Sequence, residues 1–202
     1  MAMIRLYFAP GTRAVRVRWL LEELELPYAL ERVTFKPTSS QFFIQDTPTG
    51  KIPTLVDGDI VMAESGAMIE YILERYGQGR LMPALDSPLR AAYLQWLHFA
   101  ESTAFPPLGI YVWLTVYRKD AAEHPELVSD ARGRIHTTLQ NVEEALVNRE
   151  FLLGSEFTAA DVMMGFTLMA AERLGVLPEE HTNLRRYLQR LQARPAVQRA
   201  VS

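Results

Sequence analysis

The stretch Gly50–Gly66, GKIPTLVDGDIVMAESG, constrains the fold of this chain more than any other. Two short apolar runs, Ile52 to Val56 and Ile60 to Ala63, flank Asp57-Gly58-Asp59, and an Asp-Gly between apolar runs is a hairpin signal. From Glu64-Ser65 onward, Met68, Ile69, Ile72, Leu73 and Tyr76 follow a helical period. The stretch therefore reads strand, tight turn, strand, helix. Pro53 stands at the head of the first strand, where a ladder donor would otherwise be needed, so it suits an edge or a cis turn. With a cis bond, the backbone N–H and C=O of Ile52 turn outward and can pair with an extended peptide. Glu64-Ser65 opens a helix, where unsatisfied N–H groups and the Ser65 hydroxyl make a site for a carboxylate. A backbone docking point and a carboxylate socket a few residues apart suit a small anionic peptide.

KIPTLVDGD followed by AESGAMIEYI resembles the glutathione-binding half of soluble, bacterial-like glutathione transferases. It is similar to their Lys-Val-Pro…Glu-Ser signature, with Ile52 where valine is common. The resemblance extends over nearly the full length of the chain and implies a homodimer.

Composition excludes several other classes. The 202 residues are ample for a sizeable core and make one to two domains. A net charge of −3 without a dense Lys/Arg run gives no electrostatic case for nucleic acid. The four histidines, His98, His124, His136 and His181, are far apart and show no metal-ligand spacing, so no metal is expected. There is no cysteine, which excludes disulfides, thiolate–metal sites and a cysteine nucleophile; any thiol must arrive with a ligand. No signal-peptide pattern precedes the strand-like IRLYF, and the longest apolar run, Val162 to Ala171, is far short of the roughly 18 residues needed to span a membrane. A soluble cytoplasmic protein with no membrane contact is the expectation.

Taken in order, Met3 to Ala9 predicts a strand, Pro10-Gly11 a turn, and Thr12 to Leu26 a helix with Val17, Leu20, Leu21 and Leu24 on its apolar face, stopped by Pro27. Tyr28 to Phe35 predicts a second strand, and Lys36 to Thr49 a loop with a short irregular helix around Phe42, Phe43 and Ile44. With the hairpin and helix above, the first domain is β-α-β-α-β-β-α, the thioredoxin-like order, over 1–78. Gln78 to Pro88 is turn-rich and gives a linker over 79–86. Residues 87–202 form an all-helical domain. Its first segment, Ser87 to Arg118, should kink or break at Pro106-Pro107 and Gly109. A helix over Pro125 to Arg149 follows, and two short ones close the chain at Asn183 to Ala193 and Pro195 to Val201. Phe157-Thr158-Ala159-Ala160-Asp161-Val162 is a helix start with a capping box and a Phe157–Val162 staple. Transferases of this family carry a similar box in a structural role, so Asp161 is assigned no catalytic function.

Glutathione must lose its thiol proton to become a nucleophile. A free thiol has a pKa of about 8.5, so only a few per cent is thiolate at pH 7. Lowering it by about two pH units needs roughly 2.7 kcal/mol. A helix amino terminus supplies about 0.3–1 kcal/mol when exposed and about 2 when partly buried. A hydrogen bond to the charged sulfur adds about 1.5–3 kcal/mol. The two together suffice where the dipole alone does not, which asks for a donor at a helix start beside the socket. Thr12 fits, being a hydroxyl right after Pro10-Gly11; as a plain N-cap it contributes about 1 kcal/mol to folding. Tyr7 to Trp19 resembles transferases with serine at the position of Thr12, and the extra methyl here restricts the rotamer.

Two rivals stand beside Thr12. Arg13, Arg16 and Arg18 crowd the amino end of the first helix while Glu22, Glu23 and Glu25 crowd its carboxyl end, against the macrodipole. This is either an exposed face with Arg18–Glu22 pairing or a cationic lip for a thiolate, with Arg13 nearest. Some family branches use an arginine at the position of Arg13, and others a strand tyrosine, here Tyr7. Carried over in the same way, Ile52 pairs with the cysteinyl backbone, a cis Pro53 sets that geometry, Glu64 faces the γ-glutamyl ammonium, Ser65 its carboxylate, and Lys51 the glycyl carboxylate. Glu101 is a candidate for reaching a glutathione across the dimer interface.

The second substrate needs an apolar pocket. Phe8 and Pro10 border the expected thiol, and Phe105, Tyr111, Trp113 and Tyr117 cluster around the kink, only some of them lining a pocket. The resemblance implies conjugation of glutathione thiolate to a hydrophobic electrophile, a detoxification chemistry. Glutathione-dependent disulfide reduction, isomerisation or dehalogenation, and a non-enzymatic protein-binding module on the same fold, are the alternatives.

Overall fold

The computed structural model describes residues 3–34, 46–118 and 120–202. The expected loop and helix around Phe42, Phe43 and Ile44, and the end of the second strand at Phe35, lie outside the described residues. Two compact units are present: Met1–Asp86 together with Gln192–Ser202, and Ser87–Leu191.

The first unit is built on a four-stranded sheet in the order β2-β1-β3-β4. Strand β1 (Ile4–Phe8) buries Ile4, Leu6 and Phe8 and turns Arg5 outward, the alternation of a strand with one core face. It pairs in parallel with β2 (Tyr28–Arg32), Leu6 opposite Leu30, and antiparallel with β3 (Thr54–Asp57), Leu6 opposite Leu55. The Asp57-Gly58-Asp59 turn, with Gly58 at φ +61°, returns the chain as β4 (Ile60–Met62). Strand β3 is therefore an inner strand. Pro53 lies immediately ahead of it rather than on an edge, so no ladder donor is lost, and the Ile52–Pro53 bond is cis.

Helix α1 (Ala14–Glu23) is shorter than expected at both ends. Pro27 does not end it. Leu26 N donates to Leu21 O (3.0 Å) and Glu25 N to Glu22 O (3.3 Å), with Glu25 at φ +54°, so a Schellman motif closes the helix before the proline. Val17, Leu20, Leu21 and Leu24 are buried as the spacing predicts, but so are Val15, Arg16, Arg18 and Trp19. The arginine face is covered, not exposed. Part of the cover, over Arg18, is the chain's last helix, α8 (Pro195–Val201), which packs on α1. Arg194 grips Glu23 through two bonds of 2.6 and 2.7 Å, Arg199 bonds Glu22 at 2.5 Å, and Arg18 donates to Ala200 O at 3.3 Å. Arg18 reaches Glu22 through Tyr28: its Nε donates to the Tyr28 hydroxyl, which donates to Glu22. Assigning all of residues 87–202 to the helical domain thus missed the return of Gln192–Ser202 to the sheet unit.

Helix α2 (Ser65–Tyr76) buries Met68, Ile69, Ile72 and Leu73. Its Tyr71 hydroxyl donates to Asp57 Oδ2 at 2.7 Å and that of Tyr76 to the same oxygen, so the second half of α2 holds the hairpin.

The second unit is helical. The run from α3 (Arg90–Phe99) to Arg118 does not break. A π-helical turn over Ala100–Ala104 runs directly into α4 (Phe105–Val112), and Pro106 and Pro107 fall where the chain passes from π to α hydrogen bonding. A second π-helical stretch covers Trp113–Arg118. Helices α5 (Pro125–Ala145), α6 (Ala159–Arg173) and α7 (Thr182–Gln192) follow. Every residue of α6 from Ala159 to Leu168 is buried, the core helix that Val162 to Ala171 predicts. Its capping box forms as the sequence predicts. Asp161 accepts from Thr158 N (2.8 Å), Leu152 N (2.9 Å) and the Tyr187 hydroxyl (2.8 Å), a wholly structural set of bonds. The Phe157 ring meets Phe151 edge-on at 5.6 Å.

Candidate functional site

Sheet pairing brings three segments to one end of the first unit. Tyr7, near the end of β1, lies opposite Thr54, the first residue of β3. Leu55, next in β3, lies opposite Met62, the last residue of β4. The residues after β1 (Pro10, Thr12, Arg13), those before β3 (Lys51, Ile52, Pro53) and those after β4 (Glu64, Ser65) therefore emerge together, although more than fifty positions separate the first group from the last.

Each segment is held by local chemistry. Thr54 Oγ1 donates to Lys51 O (2.8 Å) and meets the Thr49 hydroxyl, which accepts from Lys51 N (3.2 Å). These two threonines brace the turn carrying Ile52 and Pro53; their types and spacing were in the sequence, but their partners were not. Ile52 is half-buried, Pro53 buried and Lys51 exposed. Thr12 stands two residues before α1 and is not its N-cap. Its hydroxyl donates to Ala9 O (2.7 Å) and accepts from Ala14 N (3.3 Å), a local turn that fixes the side chain beside the helix start. Arg13 and Tyr7 are half-buried.

The first intrahelical bond of α2 runs from Met68 N to Glu64 O (2.9 Å), which leaves the N–H groups of Ser65, Gly66 and Ala67 ahead of it with no helical acceptor. Ser65 is 4% exposed, and its Oγ accepts from Arg16 Nη1 at 3.3 Å. Arg16 is fully buried. A buried guanidinium at the head of α2 reinforces the helix dipole as an attractor of carboxylate. Sequence reasoning left Arg16 on either an exposed face or a cationic lip and missed this contact. Glu64 is exposed, and its backbone is strained at φ +69°, ψ +104°.

The candidates for an apolar pocket divide. Pro10 is exposed, while Phe8 is wholly buried, with the guanidinium carbons of Arg18 and Arg32 at 5.1 and 5.8 Å from its ring centroid. In the helical unit, Phe105 stacks on Phe166 at 5.9 Å and Trp113 meets Tyr117 edge-on at 6.4 Å. Tyr111 is buried, and its hydroxyl accepts from Arg132 at 2.7 Å. Phe8 and Tyr111 are core in this structure. Glu101 lies in the first π-helical turn and is half-buried. Among the described residues, no helix is long and apolar enough to cross a membrane.

Residues 2–74 match the family model described as Glutathione S-transferase, N-terminal domain, and residues 105–195 match that of the C-terminal domain. Glutathione S-transferase GstB of Escherichia coli (strain K12) is 31% identical over 198 residues, spanning 95% of this chain and 93% of that protein. A glutathione transferase family member from Pseudomonas fluorescens, solved with two glutathione bound, has a TM-score of 0.83 at 27% identity, covering 98% of this chain and 92% of that one. A Phanerochaete chrysosporium glutathione transferase in complex with oxidized glutathione has a TM-score of 0.84 at 26% identity, covering 98% and 94%.

Proposed function

The chain belongs to the glutathione S-transferase family, and we propose that it binds glutathione at the converging end of its sheet and transfers the sulfur to an electrophilic carbon of a hydrophobic compound. The observation that carries this reading is the meeting of three segments: the Thr12 turn, the cis Ile52–Pro53 turn, and the amino end of α2 with Ser65 held by Arg16. Ile52 pairs with the cysteinyl backbone. The α2 N–H groups and the Ser65 hydroxyl take the γ-glutamyl carboxylate, with Arg16 behind them. Glu64 faces the ammonium and Lys51 the glycyl carboxylate. Thr12 turns its hydroxyl from Ala9 O to the sulfur and donates to the thiolate, and the thiol proton leaves to solvent. The thiolate then forms the S–C bond as the leaving group departs with its electron pair. Protein groups already in place make the developing anion cheaper than it is in water. The apolar character of the electrophile goes with the family resemblance and with Pro10, which is exposed two residues from Thr12. A cytoplasmic homodimer goes with this reading.

The test is an ultraviolet difference titration of bound glutathione thiolate on the wild type, Thr12→Ala and Arg13→Ala. The wild type should ionise well below the free value of about 8.5, and Thr12→Ala should return it there. If Arg13→Ala alone restores the free value, the donor is Arg13. A bound but unshifted thiol, or no binding, overturns the transferase reading.

A second reading has a specific support. The Pseudomonas fluorescens relative holds two glutathione and the Phanerochaete chrysosporium one holds oxidized glutathione. This chain has no cysteine of its own, so a disulfide substrate would be reduced by two glutathione molecules, yielding two thiols and glutathione disulfide.

A further inference from the structure

The sequence gives the histidines no ligand spacing, but the helical unit brings two of them together. His136 on α5 and His181, the residue before α7, have ring centroids 5.3 Å apart at an interplanar angle of 33°. Glu180 lies beside them, its Oε1 3.9 Å from His136 Nδ1. One donor atom from each of the three residues falls within 4.8 Å of the other two. His181 is 2% exposed, yet neither of its ring nitrogens has a hydrogen-bond partner among the described residues. A neutral imidazole carries one donor and one acceptor, and burying both unpaired is unfavourable. Here the unpaired ring is directed into a group holding a second imidazole and a carboxylate.

The surroundings hold this group in place. On α5, Glu143 lies seven residues after His136, so both project from the same side of the helix. Its carboxylate accepts from Asn183 N (3.1 Å), Asn183 Nδ2 (2.8 Å) and Leu184 N (2.7 Å), which pins the start of α7 against α5. Arg185 donates to Pro178 O and Leu177 O, both at 3.1 Å, and so clamps the segment carrying Glu180 and His181 from its other end. The positive end of α7 would repel a cation; the Glu143 carboxylate covers that end, and Glu180 supplies the site's own negative charge.

We propose that His136, Glu180 and His181 form a binding site for a divalent transition cation of the zinc class, joining α5 to the start of α7. Two imidazole nitrogens and one carboxylate oxygen are the donor set of zinc and its neighbours rather than of magnesium or calcium. Metal bonds of about 2.0–2.2 Å need donors closer together than they now stand. The exposed side chains of His136 and Glu180 can close that gap toward the buried His181, while water completes the coordination. The site shares no residue with the proposed glutathione site, so either assignment can fail without the other.

The test uses full-length protein without a histidine tag, stripped with a chelator and free of glutathione. Titration with Co2+ should give a visible d–d spectrum that saturates at one equivalent and disappears when Zn2+ is added. His136→Ala and Glu180→Gln, both exposed changes that spare the core, should each weaken Zn2+ binding in calorimetry at least tenfold. Zn2+ should raise the melting temperature of the wild type and leave both variants unmoved, and Mg2+ should do nothing to any of them. The proposal is overturned if Co2+ gives no d–d band, or if Zn2+ binds wild type and both variants alike.

Discussion

At the scale of single residues, Glu64 is the position where stability and function pull apart. Its φ of +69° is a conformation in which a side chain costs about 1–3 kcal/mol, and glycine adopts it without a Cβ clash. The proposed glutathione site needs the carboxylate there. Glu64→Gly should therefore raise stability by about 0.5–1 kcal/mol, after the extra freedom of glycine in the unfolded chain, and weaken glutathione roughly tenfold, about 1.4 kcal/mol. Glu64→Gln, which keeps the strain and drops the charge, should weaken glutathione without the gain. Chemical denaturation and calorimetry on the three proteins check this; an unchanged glutathione affinity in Glu64→Gly would remove Glu64 from the site. Residues of this kind were only partly legible in the sequence. Ser65 and Glu64 announce themselves as a helix start. Nothing in the run Arg13 to Arg18 says that Arg16 is buried against Ser65, since an arginine is read as exposed until a partner 49 positions away is known.

At the scale of elements, two helices end in the same way with different residues. Helix α6 closes with Val176 N on Ala171 O (3.0 Å) and Gly175 at φ +65°. Helix α1 closes with Leu26 N on Leu21 O (3.0 Å), but Glu25 occupies the glycine position at φ +54°. Glu25→Gly should stabilise the protein by about 0.5–1 kcal/mol with no effect on glutathione affinity; a loss of stability would mean that the Glu25 side chain contributes more than its backbone conformation costs. The comparison also explains why the end of α1 was misplaced. A Gly at the position after the last turn is a stop signal, and without one Pro27 was the nearest punctuation. The hairpin, the period of α2 and the Thr158–Asp161 box were legible because each is local. The π-helical turns around Pro106, the packing of α8 on α1 and the approach of His181 to His136 were not, because each depends on contacts between distant stretches of chain.

At the scale of the whole molecule, the sheet unit should lose stability in acid before the helical unit does. In the sheet unit, burial works to raise Asp57, but the hydroxyls of Tyr76 and Tyr71 and the charge of Arg75 outweigh it and hold the carboxyl below its ordinary value; Tyr71 is pushed up to about 12. Burial likewise works to raise Glu22, and the bonds from Tyr28 and Arg199 with the charges of Arg199 and Arg18 outweigh it and keep it low. A carboxyl with a depressed pKa takes up its proton more readily in the unfolded chain. Its contribution is complete above the ordinary carboxylate value and disappears as pH falls through the folded value. In the helical unit, burial dominates at Asp161 and raises it despite the bonds from Leu152, Thr158 and Tyr187. There the folded form takes the proton more readily, so falling pH removes no stability at that position. Below about pH 4, protection against amide hydrogen exchange should therefore fall first in β1, β3, α1 and α8, while α5, α6 and α7 hold. Asp57→Asn combined with Glu22→Gln should narrow the difference by removing the groups that titrate. Earlier loss in α6 than in β3, or equal loss in both units, would mean that other carboxylates govern the acid response. The α8 anchor makes the experiment sensitive, because Glu22 receives Arg199 from the far end of the chain, and protonating it loosens the segment that returns to the sheet unit after α7.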